Sequence, residues 1–129
     1  MKKSTLALLA SMAAFSPLSY ADINEELQNI CTIVKNDDKS ELRKKMRTVR
    51  SDYRLRLGDY YTGISCGGNS MIRYAMENGS AETGIYMIKR MSKGDLEQPE
   101  GDGMTIKQWA EANGHIGTPI GKELLDRLN

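Results

Sequence analysis

Two cysteines, one histidine, a crowd of arginines and a run of methionines are the residues of this chain whose types could do chemistry. Cys31 and Cys66 stand about 35 residues apart, with no C-x-x-C spacing and no histidine close in sequence to lower a thiol pKa. In an oxidising compartment they have only each other, and a structural disulfide follows. Closing a loop of that length contributes about 4 kcal/mol on the chain-entropy account. His115 lies in a glycine-flanked turn, without the nucleophile and orienting acid of a catalytic triad, and is expected to be an exposed loop histidine. Two distant cysteines and one histidine fall short of a zinc ligand set, and neither a P-loop nor G-x-G-x-x-G occurs. The chain is expected to be non-enzymatic, with no catalytic residue, metal site or cofactor.

The densest charge is the stretch 43–56. Arg43, Arg47, Arg50 and Arg54, with Lys44, Lys45 and Arg56 beside them, are opposed only by Asp52. Such a helix face could bind an anionic envelope polymer or a phosphorylated ligand. The plainer reading is a solvated face, partly neutralised by acidic residues downstream. A second binding candidate is the adjacent pair Tyr60 and Tyr61, in the turn-rich segment D-Y-Y-T-G-I-S-C-G-G-N, which could contact another envelope protein or pack on its own domain. Met71, Met76, Met87, Met91 and Met104 are thioethers of a kind that suits Cu(I). Four of them fall in an apolar helical pattern, where methionine fills core gaps, and that reading is preferred.

The elements that must position these residues begin after a leader. Met1-Lys2-Lys3 is basic, Leu6 to Phe15 is apolar, and Ser19 and Ala21 fit a cleavage site before Asp22. Residues 1–21 are therefore expected to be a cleaved signal peptide, and the apolar run is too short to span a bilayer. The mature chain is expected to be periplasmic or secreted, with no transmembrane segment. With 18 Lys and Arg against 17 Asp and Glu overall, and two lysines in the leader, its charge is near neutral. A helix-turn-helix can be drawn over Thr105 to Leu128, but export and near-neutral charge argue against nucleic acid.

Ile23, Leu27, Ile30, Cys31 and Val34 form the stripe of one helix. Asp38 with Glu41 can cap the next, which carries Leu42, Met46, Val49, Tyr53 and Leu57 before Gly58 stops it. Ser70 can cap a helix with Met71, Ile72, Ala75 and Met76 on one face, closed by Asn78-Gly79. Ser80 can cap its antiparallel partner, which contains Ile85, Ile88 and Met91, and Gly84 within it suggests close approach of another backbone. A shift of about 41 residues superposes Val34 on Ala75, Glu41 on Glu82 and Met46 on Met87, a faint repeat of the pair. Residues 92–104, with four acids, three glycines and a proline, read as an acidic flexible linker. Two C-terminal helices follow, at Ile106 to Ala112 and after Thr118-Pro119.

S-M-I-R-Y-A-M-E-N-G-S-A-E resembles the ankyrin pattern T-P-L-H-x-A-x-x-x-G-x-x-E through Ser70, Ile72, Ala75, Gly79 and Glu82, with Met71 and Arg73 departing from it. The leader, the two cysteines and C-G-G-N-S also resemble a family of small secreted bacterial proteins of unknown function, over roughly Glu26 to Lys89. That likeness implies no activity. The expected fold is all-α: a small disulfide-stapled domain of about two ankyrin-like helical hairpins (22–91), the linker (92–104) and a C-terminal helix pair (105–129). The function read first is a periplasmic binding module that contacts another envelope protein. An anion binder using the 43–56 helix is second, and a copper-handling protein or an enzyme of another type is third.

Overall fold

The computed structural model describes residues 20–129, with side chains from Ile23 onward. The expected leader, 1–21, lies outside them except for its last two positions. The helices are α1 (Tyr20–Glu26), α2 (Ile30–Lys35), α3 (Lys39–Tyr53), α4 (Leu57–Tyr60), α5 (Met71–Asn78), α6 (Ala81–Arg90), α7 (Lys93–Leu96), α8 (Ile106–Ala112) and α9 (Pro119–Leu128), with a 3-10 turn at Tyr61–Gly63. Among the described residues there is no strand, only an isolated bridge between Cys66 and Asn69. None of the described helices is long and apolar enough to cross a membrane.

The apolar stripes dictate the packing. Met71, Ile72, Ala75 and Met76 are buried on α5, and Tyr86, Met87 and Ile88 on α6. Gly79 closes α5 in the left-handed region and sends the chain back, so α5 and α6 form the expected hairpin. The earlier pair stacks beside it, α2 on α5 and α3 on α6. The faint sequence repeat thus corresponds to helices that lie side by side. Cys31 and Cys66 form the expected disulfide, with Cα atoms 5.5 Å apart. It ties α2 to the turn that leads into α5. That turn, Cys66-Gly67-Gly68-Asn69, closes with two backbone hydrogen bonds of 2.7 and 3.0 Å, and both glycines have positive φ.

Two helix boundaries differ from the apolar periodicity. The first stripe is broken into α1 and α2 by Asn29 at φ 66, and the kink lets both Leu27 and Ile30 reach the core. The basic helix ends at Tyr53 rather than at Gly58. Arg54 adopts φ 59 and donates its N–H to the Arg50 carbonyl, while Gly58 falls inside the short α4. Periodicity cannot register either break, because a single left-handed residue leaves the apolar spacing almost unchanged.

Residues 92–104 carry more structure than their composition suggests. Ser92 caps α7 through the Asp95 N–H, and Leu96 is fully buried. Beyond it, Glu100 and Asp102 reach back to Arg73 on α5. α9 then packs along α6 at the point anticipated for Gly84, although the close neighbour is a side chain and not a backbone. A Cβ on Gly84 would stand 2.5 Å from Ile120 Cδ1. Arg127 on α9 donates twice to the Met91 carbonyl, at 3.2 and 3.0 Å, and so satisfies the end of α6.

Candidate functional site

α3 turns Leu42, Met46 and Val49 into the core, so its opposite edge presents Lys39, Arg43, Arg47 and Arg50 at intervals of three and four residues. α6 packs beside it and offers Tyr86, Lys89 and Arg90, again one helical turn apart. Between the two helices lies a cleft of about 370 Å³ whose cationic lining is Arg43, Arg47, Arg50, Arg56, Lys89 and Arg90. Met46, Leu55, Leu57 and Tyr86 form its apolar lining. A second cavity of about 350 Å³ continues it toward Lys39 and shares Arg43, Tyr86, Lys89 and Arg90. Only Glu82, at that far end, brings an acid to either lining.

Tyr86 is the centre of this arrangement. The Arg90 guanidinium lies 4.6 Å from its ring centroid, that of Arg43 5.8 Å, and the Lys39 ammonium 6.0 Å. The quadrupole of one ring thus faces three cations, each attracted to it by roughly 1 kcal/mol where exposed. Among the described residues, none of the cleft's cations has a carboxylate within 4.0 Å; the ion pairs are those of Arg73. Asp59, near one end, is engaged in accepting from the Arg56 N–H at 2.8 Å. Of the acidic segment, Glu100 and Asp102 are held away from the cleft at Arg73, while the Asp95 carboxylate lies against Gly58, next to the Arg56–Leu57 end.

That second cluster is a structural tie. Arg73 is only 5% exposed, and it donates to both oxygens of Asp102 at 2.7 and 2.9 Å and to the Met104 carbonyl at 3.1 Å. It also pairs with Glu100 and lies 5.2 Å from the centroid of Trp109. The Arg73 guanidinium holds the Asp102 carboxyl well below the usual carboxylate range. Burial pushes Glu100 the other way, above its ordinary value, despite the hydrogen bond from Ser70 and the charge of Arg73. The Ser70 hydroxyl, expected to cap α5, instead donates to Glu100 at 3.0 Å.

The expected site residues divide sharply. Arg43, Arg47 and Arg50 come together at the cleft, whereas Arg54 caps the end of α3. Lys45 leaves the basic set altogether, donating to the Glu26 carbonyl at 2.9 Å. Tyr60 and Tyr61 are turned inward, 8% and 3% exposed, and present little surface to a partner. Burial pushes the Tyr60 phenol up to about 12 and raises Tyr61 further still. The Tyr61 hydroxyl accepts from the Ile72 N–H at 3.2 Å. Met71, Met76, Met87 and Met91 all lie in the core. His115 is half-buried and stacks on Trp109 with ring centroids 5.2 Å apart, not free in its loop as expected. The sequence reading missed Lys39, Tyr86, Lys89 and Arg90 as cleft residues. The available signal was Tyr86 and Arg90 at i and i+4, with Lys39, Arg43 and Arg47 repeating every four residues.

A helical, disulfide-stapled protein with an unneutralised basic cleft is the class that this fold and site define. The chain belongs to the family described as proteins of unknown function (DUF3718), whose model matches residues 30–98. The match contains both cysteines and both walls of the cleft, and ends before Glu100 and Asp102. No curated protein and no solved structure matches the chain.

Proposed function

We propose that the protein is an exported anion-binding module whose ligand lies in the cleft between α3 and α6. The carrying observation is the gathering of Lys39, Arg43 and Arg90 on one tyrosine ring, beside further cations that have no carboxylate within 4.0 Å among the described residues. Like charges held close on neighbouring helices cost stability, and places where a fold accepts such a cost tend to be functional. An oxyanion in the cleft removes the repulsion, and guanidinium groups bind phosphoryl or carboxylate oxygens in bidentate pairs. Apolar contacts from Met46, Leu55 and Leu57 lower the local dielectric on one side, which strengthens those pairs.

The disulfide and the leader pattern support a location outside the reducing cytoplasm. Contact with an envelope protein through the Tyr60–Tyr61 loop has less to support it, since both rings are buried. The test is calorimetric titration of the purified chain with inorganic pyrophosphate at low and high salt. Binding that weakens with salt is expected, and Arg43→Ala and Arg90→Ala should each weaken it about tenfold. Failure of pyrophosphate, heparin and acidic vesicles alike to bind would sink the proposal.

A further inference from the structure

We infer that the ligand is an extended linear polyanion, laid along the trough with several of its charged groups engaged at once. The inference rests on the cleft being the ligand site and adds what kind of molecule fits it. Its first support is continuity. The two cavities share Arg43, Tyr86, Lys89 and Arg90, so they form one trough that runs from Lys39 to Arg56.

Its second support is length. The α3 residues that line the trough run from Lys39 to Arg50, and at 1.5 Å per residue that wall extends roughly 16 Å. A single phosphate or carboxylate would engage two or three of the cations and leave the rest in mutual repulsion. The spacing along the wall is also regular. Arg43 to Arg47 is one step of about 6 Å and Arg47 to Arg50 one of about 4.5 Å. Cations in a row at such intervals suit charged groups repeated along a chain, and a compact polyvalent ion would want them converging on one point.

Shape separates this ligand from an acidic membrane. The cations line the two sides of a trough with Tyr86 between them, and Tyr86 is only 9% exposed. A planar bilayer surface would meet the rims and miss the floor, whereas a strand can enter. Arginine binds phosphoryl, sulfate and carboxylate groups alike, so the shared chemistry is a repeated oxyanion on a linear backbone.

The experiment is a chain-length series of inorganic phosphates, from orthophosphate through pyrophosphate and triphosphate to long polyphosphate, titrated into the whole protein. Affinity per phosphoryl group is expected to rise at each step and level off once the chain outgrows a trough wall of roughly 16 Å. The salt dependence should steepen in parallel, because each added contact releases another counterion. Polyglutamate and heparin of matched length serve as carboxylate and sulfate arms, to identify the preferred oxyanion. Lys39→Ala and Arg56→Ala, at opposite ends of the trough, are each expected to weaken long polyphosphate by a larger factor than pyrophosphate, and equal losses for the two ligands would overturn the inference. Both residues are away from the buried core, and thermal melts of the variants check that they fold.

Equal affinity per phosphoryl group for pyrophosphate and long chains would overturn the inference while leaving the cleft as an anion site. Tighter binding to vesicles of acidic phospholipid than to any soluble polymer would overturn it in favour of a membrane surface. Absence of binding at every length would overturn the cleft itself.

Discussion

Asp37 caps α6 from outside its own hairpin: Oδ1 accepts from the Thr83 N–H at 2.8 Å and from the Thr83 hydroxyl at 3.1 Å. Oδ2 accepts in addition from the Glu82 N–H at 3.3 Å. Ser80, which holds the cap position in sequence, instead donates its hydroxyl to the Lys35 carbonyl at 3.1 Å. The two helix pairs are thus joined end to end by polar contacts that satisfy orphan groups of both α2 and α6.

The Asp37 carboxylate is expected to be worth about 1–2 kcal/mol. Asp37 sits at φ 56, so Asp37→Gly removes the carboxylate without straining the backbone. A fall of that size in urea-denaturation stability is expected. If Asp37→Gly were as stable as the native chain, the inter-hairpin cap would be energetically idle.

Tyr60 and Tyr61 are adjacent and both buried, but their hydroxyls have opposite standing. Tyr61 satisfies a buried backbone N–H, whereas the Tyr60 hydroxyl has no hydrogen-bond partner among the described residues. Tyr61→Phe is expected to lose about 1–2 kcal/mol by orphaning the Ile72 N–H. Tyr60→Phe should be neutral or stabilising by comparison. Chemical denaturation of the two variants side by side decides the matter, and the reverse ranking would refute the assignment.

The sequence carried the helices and the staple well, because apolar spacing and cysteine count are local or nearly arithmetic. Met71 to Met76 and Gly79 announce α5 and its end on their own. What it could not carry were the pairings across helices. Asp37 falls between two apolar stripes with no signal of its own, Ser70 and Ser80 read as ordinary caps, and all three bond to groups 30 or more residues away. The basic cleft was half legible for the same reason. One wall, Arg43 to Arg50, is a visible charge run, but the other is the unremarkable Tyr86-Met87-Ile88-Lys89-Arg90, which matters only once α6 lies beside α3.

The Arg73 cluster should make stability depend on pH in two opposed ways. Asp102 has a folded pKa below its unfolded one, so its contribution is present above the ordinary carboxylate range and fades as pH falls through the folded value. Glu100 has a folded pKa above its unfolded one, so its contribution is full below the ordinary range and is lost as pH rises through the folded value. Asp102→Asn is therefore expected to lower the melting temperature at neutral pH, with the deficit shrinking in strong acid. Glu100→Gln should flatten the decline of stability as pH rises from the unfolded carboxylate pKa. Melting curves between acid and neutral pH would contradict this if the two variants shifted stability with the same pH trend.

The crowd of cations at Tyr86 should leave its mark on the unliganded protein. Arg43, Lys39 and Arg90 repel one another across α3 and α6, and the ring attraction offsets only part of that. Replacing Arg90 with Gln removes one charge and keeps much of the stem, so at low salt the variant should melt no lower than the native chain. Added pyrophosphate should then raise the melting temperature of the native protein, by mass action on the folded state, and raise that of Arg90→Gln much less. Arg54→Gly supplies the control. It relieves a left-handed residue at φ 59, is expected to gain about 0.5–1 kcal/mol, and should keep the full pyrophosphate response because Arg54 lies off the cleft. If Arg54→Gly lost that response while Arg90→Gln kept it, the basic helix would bind through its end, and the trough between α3 and α6 would not be the site.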